Sequence, residues 1–77
     1  MLKLKDVANV FIENYVIHDG WGITLKEVTE FLNNLTYNDI KLNNFNYFNF
    51  PEYNLTIKTF IYVDSYDTII IKITGIL

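Results

Sequence analysis

The side chains that could perform chemistry in this sequence are few and lie far apart. His18 is the only histidine, and the chain has no cysteine, so His18 and Asp19 cannot complete a zinc site of nitrogen and sulfur ligands. Ser65 is the only serine and lacks the Gly-x-Ser-x-Gly elbow of a catalytic nucleophile. Asp64 and Asp67 flank Ser65 without the spacing of a calcium-binding EF-hand, and are typical turn formers. We therefore predict a protein that is not an enzyme and that uses no metal or cofactor.

The composition indicates one small folded domain with an acidic character. Of the 77 residues, 51% are hydrophobic and 19% are charged, which is not the balance of a disordered chain. The formal net charge is −3, and the cations are all lysines, which disfavours direct binding of nucleic acid. The sequence has no apolar run near the ~20 residues that span a membrane and no apolar signal-peptide core. We predict a cytoplasmic protein that does not contact membranes.

Two stretches have the apolar spacing of amphipathic helices. In the first, residues 4–15, apolar side chains recur every three or four positions. The second begins at a capping box, in which Thr24 and Glu27 satisfy otherwise unpaired amides at the helix start. A short third helix over residues 36–42 is an option. The apolar face of the second helix comprises Leu25, Val28, Phe31, Leu32 and Leu35.

The last third of the chain predicts an antiparallel β-hairpin. Residues 55–63 and 68–76 are rich in β-branched and aromatic side chains, and residues 64–67 form the turn. The apolar side chains of both strands share one face of the hairpin only if the two residue numbers in each cross-strand pair add up to an even number. That register implies a turn of three or five residues. The preceding residues, 43–54, contain five asparagines and Pro51, which predicts an ordered loop or an irregular edge strand.

These elements predict an α+β fold in a single domain, residues 1–77. Two amphipathic helices, with the optional third, are followed by the C-terminal hairpin that packs on them. The order of elements resembles the winged-helix plan, and residues 22–32 resemble the first helix of helix-turn-helix units. That resemblance implies a recognition helix over residues 38–46, with Asn38, Asn43 and Asn44 available to adenine edges.

Two features of the sequence predict a protein-binding surface. Trp21 is the only tryptophan and lies between two glycines, and tryptophan often contributes strongly to interface energy. The outward face of the predicted hairpin has an apolar centre among lysines and threonines, as interfaces do. The alternatives are that Trp21 packs into the core and that residues 43–53 cross the hairpin face and bury it. The predicted interface residues are Trp21, Phe60, Tyr62, Ile70, Tyr66 and Asp64.

The function that follows is that of a non-enzymatic protein-binding module. The amino acids in excess, such as asparagine, isoleucine and lysine, have AT-rich codons, as in many phage and mobile-element genes. The chain is similar in character to some anti-CRISPR proteins, which implies an inhibitor of a host protein, such as a nucleic-acid-binding complex. The alternatives are a winged-helix-like DNA-binding regulator and a small oligomeric structural subunit, for example a homodimer paired through an exposed strand edge.

Overall fold

The chain folds into one four-stranded mixed sheet with helices on one of its faces. The computed structural model describes residues 2–18 and 22–77. The sheet has the strand order β1-β4-β3-β2, where β1 is Asn9–Asn14, β2 is Asn44–Phe50, β3 is Leu55–Val63 and β4 is Thr68–Ile76. The helices are α1, Leu4–Val7, and α2, Leu25–Asn33, and 3-10 turns lie at Tyr37–Asp39 and Pro51–Tyr53.

The predicted fold class is wrong in the first part of the chain. Residues 4–15 contain only the single-turn α1 and then β1, rather than one long amphipathic helix. β1 pairs in parallel with β4, from Asn9 opposite Thr68 to Asn14 opposite Ile73. A short apolar run fits both periods, and Val10-Phe11-Ile12 favours a strand once the edge of β4 is available for pairing. In the part of the chain that the structure describes, the domain therefore has the short α1, the nine-residue α2 and four strands, not two amphipathic helices and a hairpin.

The winged-helix plan is wrong for this chain as well. Residues 38–46, the expected recognition helix, contain the end of a 3-10 turn and the first residues of β2. The optional third helix is reduced to that turn, Tyr37–Asp39, in which Tyr37 is half exposed rather than inward. Among the residues that the structure describes, no helix is therefore placed to enter a DNA groove in the winged-helix manner.

Helix α2 begins where the capping box predicts. The Glu27 N–H donates to Thr24 Oγ1 over 3.1 Å, and the Thr24 N–H donates to Glu27 Oε1 over 3.3 Å. The Tyr53 hydroxyl donates to the same carboxylate, which ties the second 3-10 turn to the start of the helix. Gly22 precedes the cap with φ of +85°, a conformation that glycine adopts readily. Local sequence signals therefore set the position of this helix end.

The contact between Glu27 and Tyr53 predicts a pH-dependent stability. The hydrogen bond from Tyr53 lowers the pKa of Glu27 below its ordinary 4.5, and the same bond raises the pKa of Tyr53 above 10.0. The stabilisation is therefore present between these values, is lost as the pH falls through the pKa of Glu27, and is lost as the pH rises through that of Tyr53. We expect Tyr53→Phe to lower the free energy of unfolding at neutral pH, with the difference shrinking towards both extremes in urea titrations. A difference that stayed constant with pH would contradict this account.

The core lies between α2 and the inner face of the sheet. Alternate residues of β3 and β4 point inward, as strand geometry requires, and Ile57, Ile61, Ile71 and Ile73 are completely buried there. Phe31 of α2 reaches the sheet over β2 and contacts Phe48 and Phe50 edge to face, with ring centroids 5.7 and 4.9 Å apart. The helices contribute Leu4, Val28 and Leu32 to this core, and Leu35, just after the end of α2, adds to it.

Two polar side chains in the core anchor β2 to its neighbours. Thr59 is completely buried, and its hydroxyl donates to the Asn46 carbonyl over 2.9 Å. The Asn46 side chain accepts from the Lys41 N–H over 2.8 Å and donates to the Lys41 carbonyl over 2.9 Å. Among the described residues, every buried polar side-chain atom has a partner, as stable cores require.

The hairpin of β3 and β4 has the register that amphipathicity predicts. In the half nearest the turn, Phe60 lies opposite Lys72 and Tyr62 lies opposite Ile70, so the paired positions sum to an even number. The Asp64 N–H donates to the Thr68 carbonyl over 3.0 Å, which leaves a three-residue turn. Farther from the turn, a bulge shifts the register by one residue. The outward and inward faces of the hairpin are therefore those that the sequence pattern indicates.

Candidate protein-binding surface

The side of the sheet opposite α2 carries a group of side chains that we call the outer sheet face. The core joins the helices to the inner face, and the side chains of the outer sheet face do not belong to it. Ile70 shows the distinction best, because it is only 6% exposed and yet lies outside that core. The outer sheet face comprises Phe11, Glu13 and Tyr15 at β1, Ile70 and Lys72 of β4, Lys58, Phe60 and Tyr62 of β3, and Phe45 and Tyr47 of β2.

The strand register aligns the apolar members of the outer sheet face in a row across the sheet. Phe11 of β1 lies opposite Ile70, which in turn lies opposite Tyr62. Beside this row, Phe60 lies opposite Phe45 of the far edge strand. Cross-strand neighbours on one face are close enough for their side chains to touch. The sheet therefore presents a continuous apolar and aromatic surface from one edge to the other.

Phe60 lies at the centre of the aromatic contacts on this surface. Its ring meets Phe45 edge to face with centroids 5.1 Å apart, and it lies 5.9 Å from the ring of Tyr62. Aromatic pairs with this geometry stabilise each other by about 0.5–1.5 kcal/mol beyond the area that they bury. These contacts hold the three rings in a preformed arrangement.

The two lysines of the outer sheet face, Lys58 and Lys72, lie over its aromatic rings. The Lys58 ammonium is 4.4 Å from the centroid of the Phe45 ring, and the Lys72 ammonium is 5.8 Å from that of Tyr15. Such cation–π contacts contribute about 0.5–1 kcal/mol at exposed sites. With Glu13 as the acidic member, lysines outnumber acids here, although acids outnumber lysines in the whole chain. The face is therefore less acidic than the protein as a whole.

The number of exposed aromatic side chains distinguishes this face from an ordinary protein surface. Phe11 is 55% exposed, Phe45 is 45% exposed, and Tyr15 and Tyr47 are also exposed. Single exposed hydrophobic residues are common, but contiguous apolar patches on a sheet face usually mark an interaction site. The clustering of these rings, rather than the exposure of any one of them, makes the face a candidate binding site.

The structure brings three of the predicted interface residues together on this face, namely Phe60, Tyr62 and Ile70. Residues 43–53 do not cross and bury the face, because β2 extends the sheet edge beside β3 instead. Ile70 is nevertheless too buried to present much surface of its own, so it supports the rings around it. Whether the face binds a partner stays a prediction.

The other predicted interface residues lie elsewhere. Tyr66 is 85% exposed at the tip of the hairpin turn. Asp64 is engaged in forming that turn, because Oδ1 of its carboxylate accepts from the Tyr66 N–H over 2.8 Å and from the Thr68 N–H over 3.0 Å. Trp21 falls outside the described residues, as does Asp19.

Sequence reasoning missed the members of the face that come from β1 and β2. The helical spacing assigned Phe11 and Tyr15 to one stripe of a helix, and the asparagine-rich segment placed Phe45 and Tyr47 in an ordered loop or an irregular edge strand. The available signal was a partial alternation of asparagine and aromatic residues over residues 44–47 and again over 48–50, which is typical of a half-buried strand.

Among residues 2–18 and 22–77, no group of three or more metal-ligating side chains comes together. A shallow, mainly apolar depression of about 380 Å³ is lined by Leu2, Val7, Thr36, Tyr37 and Asn38. None of the helices in the described part of the chain has the length and apolar content needed to cross a bilayer.

The geometry defines a two-layer α+β domain with a helix on one face of a mixed sheet and an open aromatic face on the other. Comparisons of this chain with protein-family models, with curated proteins and with solved structures found no match.

Proposed function

We propose that this protein is a non-enzymatic binding domain that holds a partner protein on its outer sheet face. The observation that carries the proposal is the apolar surface across the four strands, in which exposed aromatic side chains of the two edge strands flank the half-buried Phe60 and Tyr62 and the buried Ile70. Interface energy is concentrated in a few large, rigid side chains, and aromatic residues are prominent among them.

The arrangement of the outer sheet face suits association because its rings are already in place. Phe60 contacts both Phe45 and Tyr62 in the free domain, so little side-chain freedom is left to lose on binding. Lys58 and Lys72 flank the rings and would favour a partner surface with carboxylates around an apolar centre. We propose further that this chain is a phage or mobile-element product, and that its partner is a host protein that it inhibits in the cytoplasm.

A protein partner is favoured over single-stranded nucleic acid, although aromatic rings can also stack on bases. Nucleic-acid binding depends largely on cations that neutralise phosphates. The outer sheet face has two lysines beside Glu13, and the protein carries a net charge of −3. The charge balance is therefore too weak to supply the phosphate contacts.

The test of the proposal compares the proteins that the immobilised wild-type domain and two matched variants retain from a lysate of the cells that produce the domain. The face variant combines Phe11→Ser with Phe45→Ser, both at exposed positions of the outer sheet face. The control variant combines Tyr37→Ser with Leu42→Ser, which are similarly exposed but lie outside that face. We expect a protein that is retained by the wild type and the control but lost by the face variant, and that binds the wild type in a purified titration.

Two results would contradict the proposal. One is a partner protein that binds the wild type and the face variant equally in the purified titration. The other is saturable, salt-sensitive binding of labelled single-stranded DNA or RNA that the face variant loses, because the face would then serve nucleic acid.

A further inference from the structure

The free edge of β2 lacks the features that keep edge strands from pairing with other chains. β2 is the last strand of the sheet order, so among the described residues no strand lies on its side away from β3. Natural edge strands usually carry a lysine, a proline or a bulge that prevents pairing. Asn44–Phe50 is a seven-residue run of asparagine and aromatic residues with no charge, and its register with β3 is uninterrupted. The opposite edge strand, β1, contains the charged Glu13.

The hydrogen-bond alternation of the sheet shows which groups of β2 point outward. In an antiparallel pair, alternate residues exchange hydrogen bonds with the neighbouring strand. Thr56 of β3 exchanges such bonds with Leu77 on the β4 side, over 2.9 and 3.4 Å, so the next residue, Ile57, bonds towards Phe48 of β2. Residues 45, 47 and 49 of β2 therefore direct their backbone N–H and carbonyl groups away from β3.

We propose that two copies of this chain pair through β2 in an antiparallel register centred on Tyr47. In this register Tyr47 lies opposite its own copy, and Phe45 lies opposite Asn49 of the other chain. The Phe45 N–H already donates to Asn44 Oδ1 over 2.8 Å, and it can keep that bond. The Tyr47 pair and the two bonds from Asn49 to the Phe45 carbonyl give four backbone hydrogen bonds across the two-fold axis.

The uncharged sequence of β2 suits a second copy of the chain as the occupant of this edge. In a two-fold symmetric pair, residues equidistant from the axis meet, and like charges directly opposite each other destabilise an antiparallel pair. β2 places no charge anywhere along the contact, because Asn44–Phe50 contains none. The pairing joins the two sheets into one of eight strands, and it requires no rearrangement of the strand.

The space beside β2 is open enough to receive the second chain. A groove of about 420 Å³ runs along this edge and leaves room for side chains on the inner side of an added strand. Its lining residues are Phe31, Asn34, Leu35, Asp39, Tyr47 and Phe48. This contact uses backbone groups of the sheet edge, so the proposal does not rest on partner binding at the outer sheet face, although Phe45 and Tyr47 belong to both surfaces.

Cysteine cross-linking tests the register directly, because the natural chain contains no cysteine. Hydrogen-bonded antiparallel partners have Cα atoms about 5.5 Å apart, within the range that a disulfide spans. In the proposed pair the two copies of Asn49 are four residues out of register, or about 13 Å apart. We expect Tyr47→Cys to form a disulfide-linked dimer under mild oxidation at least tenfold faster than Asn49→Cys or Tyr15→Cys, which lies near the opposite edge.

Sedimentation of a charge variant tests the same contact without cross-linking. Tyr47 lies opposite Lys58 within its own chain, so Tyr47→Glu adds a favourable cross-strand neighbour to the monomer while placing two carboxylates together at the two-fold axis. We expect Tyr47→Glu to raise the dimer dissociation constant at least tenfold, and the neutral Tyr47→Gln to change it much less. Circular dichroism and thermal melting check that each variant is folded.

Three outcomes would overturn the proposal. The first is a wild-type chain that remains monomeric at millimolar concentration. The second is equal cross-linking of Tyr47→Cys and Tyr15→Cys, which would show random collision. The third is an extended peptide that binds the β2 edge of a strictly monomeric chain, which would make the occupant a different molecule.

Discussion

Replacement of Phe60 by alanine is expected to weaken partner binding at least tenfold while the domain stays folded. Phe60 contacts Phe45 and Tyr62 and so holds the central rings of the outer sheet face in position. Removing a central aromatic anchor from an interface typically costs more than 1 kcal/mol, and up to about 4 kcal/mol. The dissociation constant would be measured by calorimetry with the purified partner.

The control for Phe60→Ala is Tyr37→Ala. Tyr37 is a half-exposed aromatic residue outside the outer sheet face, so its loss removes comparable surface elsewhere. We expect this control to bind the partner as the wild type does. If Phe60→Ala unfolds the domain, Phe60 is a structural residue. If both variants bind like the wild type, Phe60 is not a binding residue.

Replacement of Ile71 by alanine is expected to leave the domain largely unfolded at 25 °C. Ile71 is completely buried on the inner face of β4, between Ile12 of β1 and Ile61 of β3. An isoleucine-to-alanine change at such a site costs about 2–5 kcal/mol. A core of this size supplies about 3–5 kcal/mol in total. Urea unfolding followed by circular dichroism would measure the loss.

The neighbouring Ile70 provides a matched comparison within the same strand. Ile70 is also buried, but it points to the outer sheet face, where it lies between Phe11 and Tyr62 in the register. Because Phe11 is more than half exposed, its ring can settle into the space that Ile70→Ala leaves. We expect a smaller loss of stability, about 1–2 kcal/mol. Equal losses at the two positions would mean that the outer sheet face is a second closed core.

Short-range signals were sufficient for the elements whose cause is local. Thr24 and Glu27 locate the start of α2 because a capping box acts within four residues. The alternation in residues 55–63 and 68–76 sets the hairpin register near the turn because a slip of one residue would exchange the inward and outward faces. The bulge farther from the turn coincides with Gly75, an isolated glycine of the kind that often marks a bulge, and the sequence analysis did not use it.

The N-terminal part of the fold depends on contacts distant in the sequence. Residues 9–14 carry an apolar pattern that fits a helix and a strand about equally, and pairing with β4 selects the strand. The predicted helix left β4 as an open edge, whereas the observed strand satisfies its backbone groups. Similarly, Asn44–Phe50 became a regular edge strand because the outer side of β3 was free to pair with it.

The sequence by itself determined the acidic composition of this small domain, the capped start of α2, and a C-terminal hairpin whose outward face carries Phe60 and Tyr62. The tertiary structure alone decided that this face extends over four strands, because Phe11 and Phe45 join it only through strand pairing. The tertiary structure also decided that this face stays open, because α2 packs against the core on the opposite side of the sheet. Local patterns specify which residues share one face of a strand, and packing between distant segments specifies which face is buried.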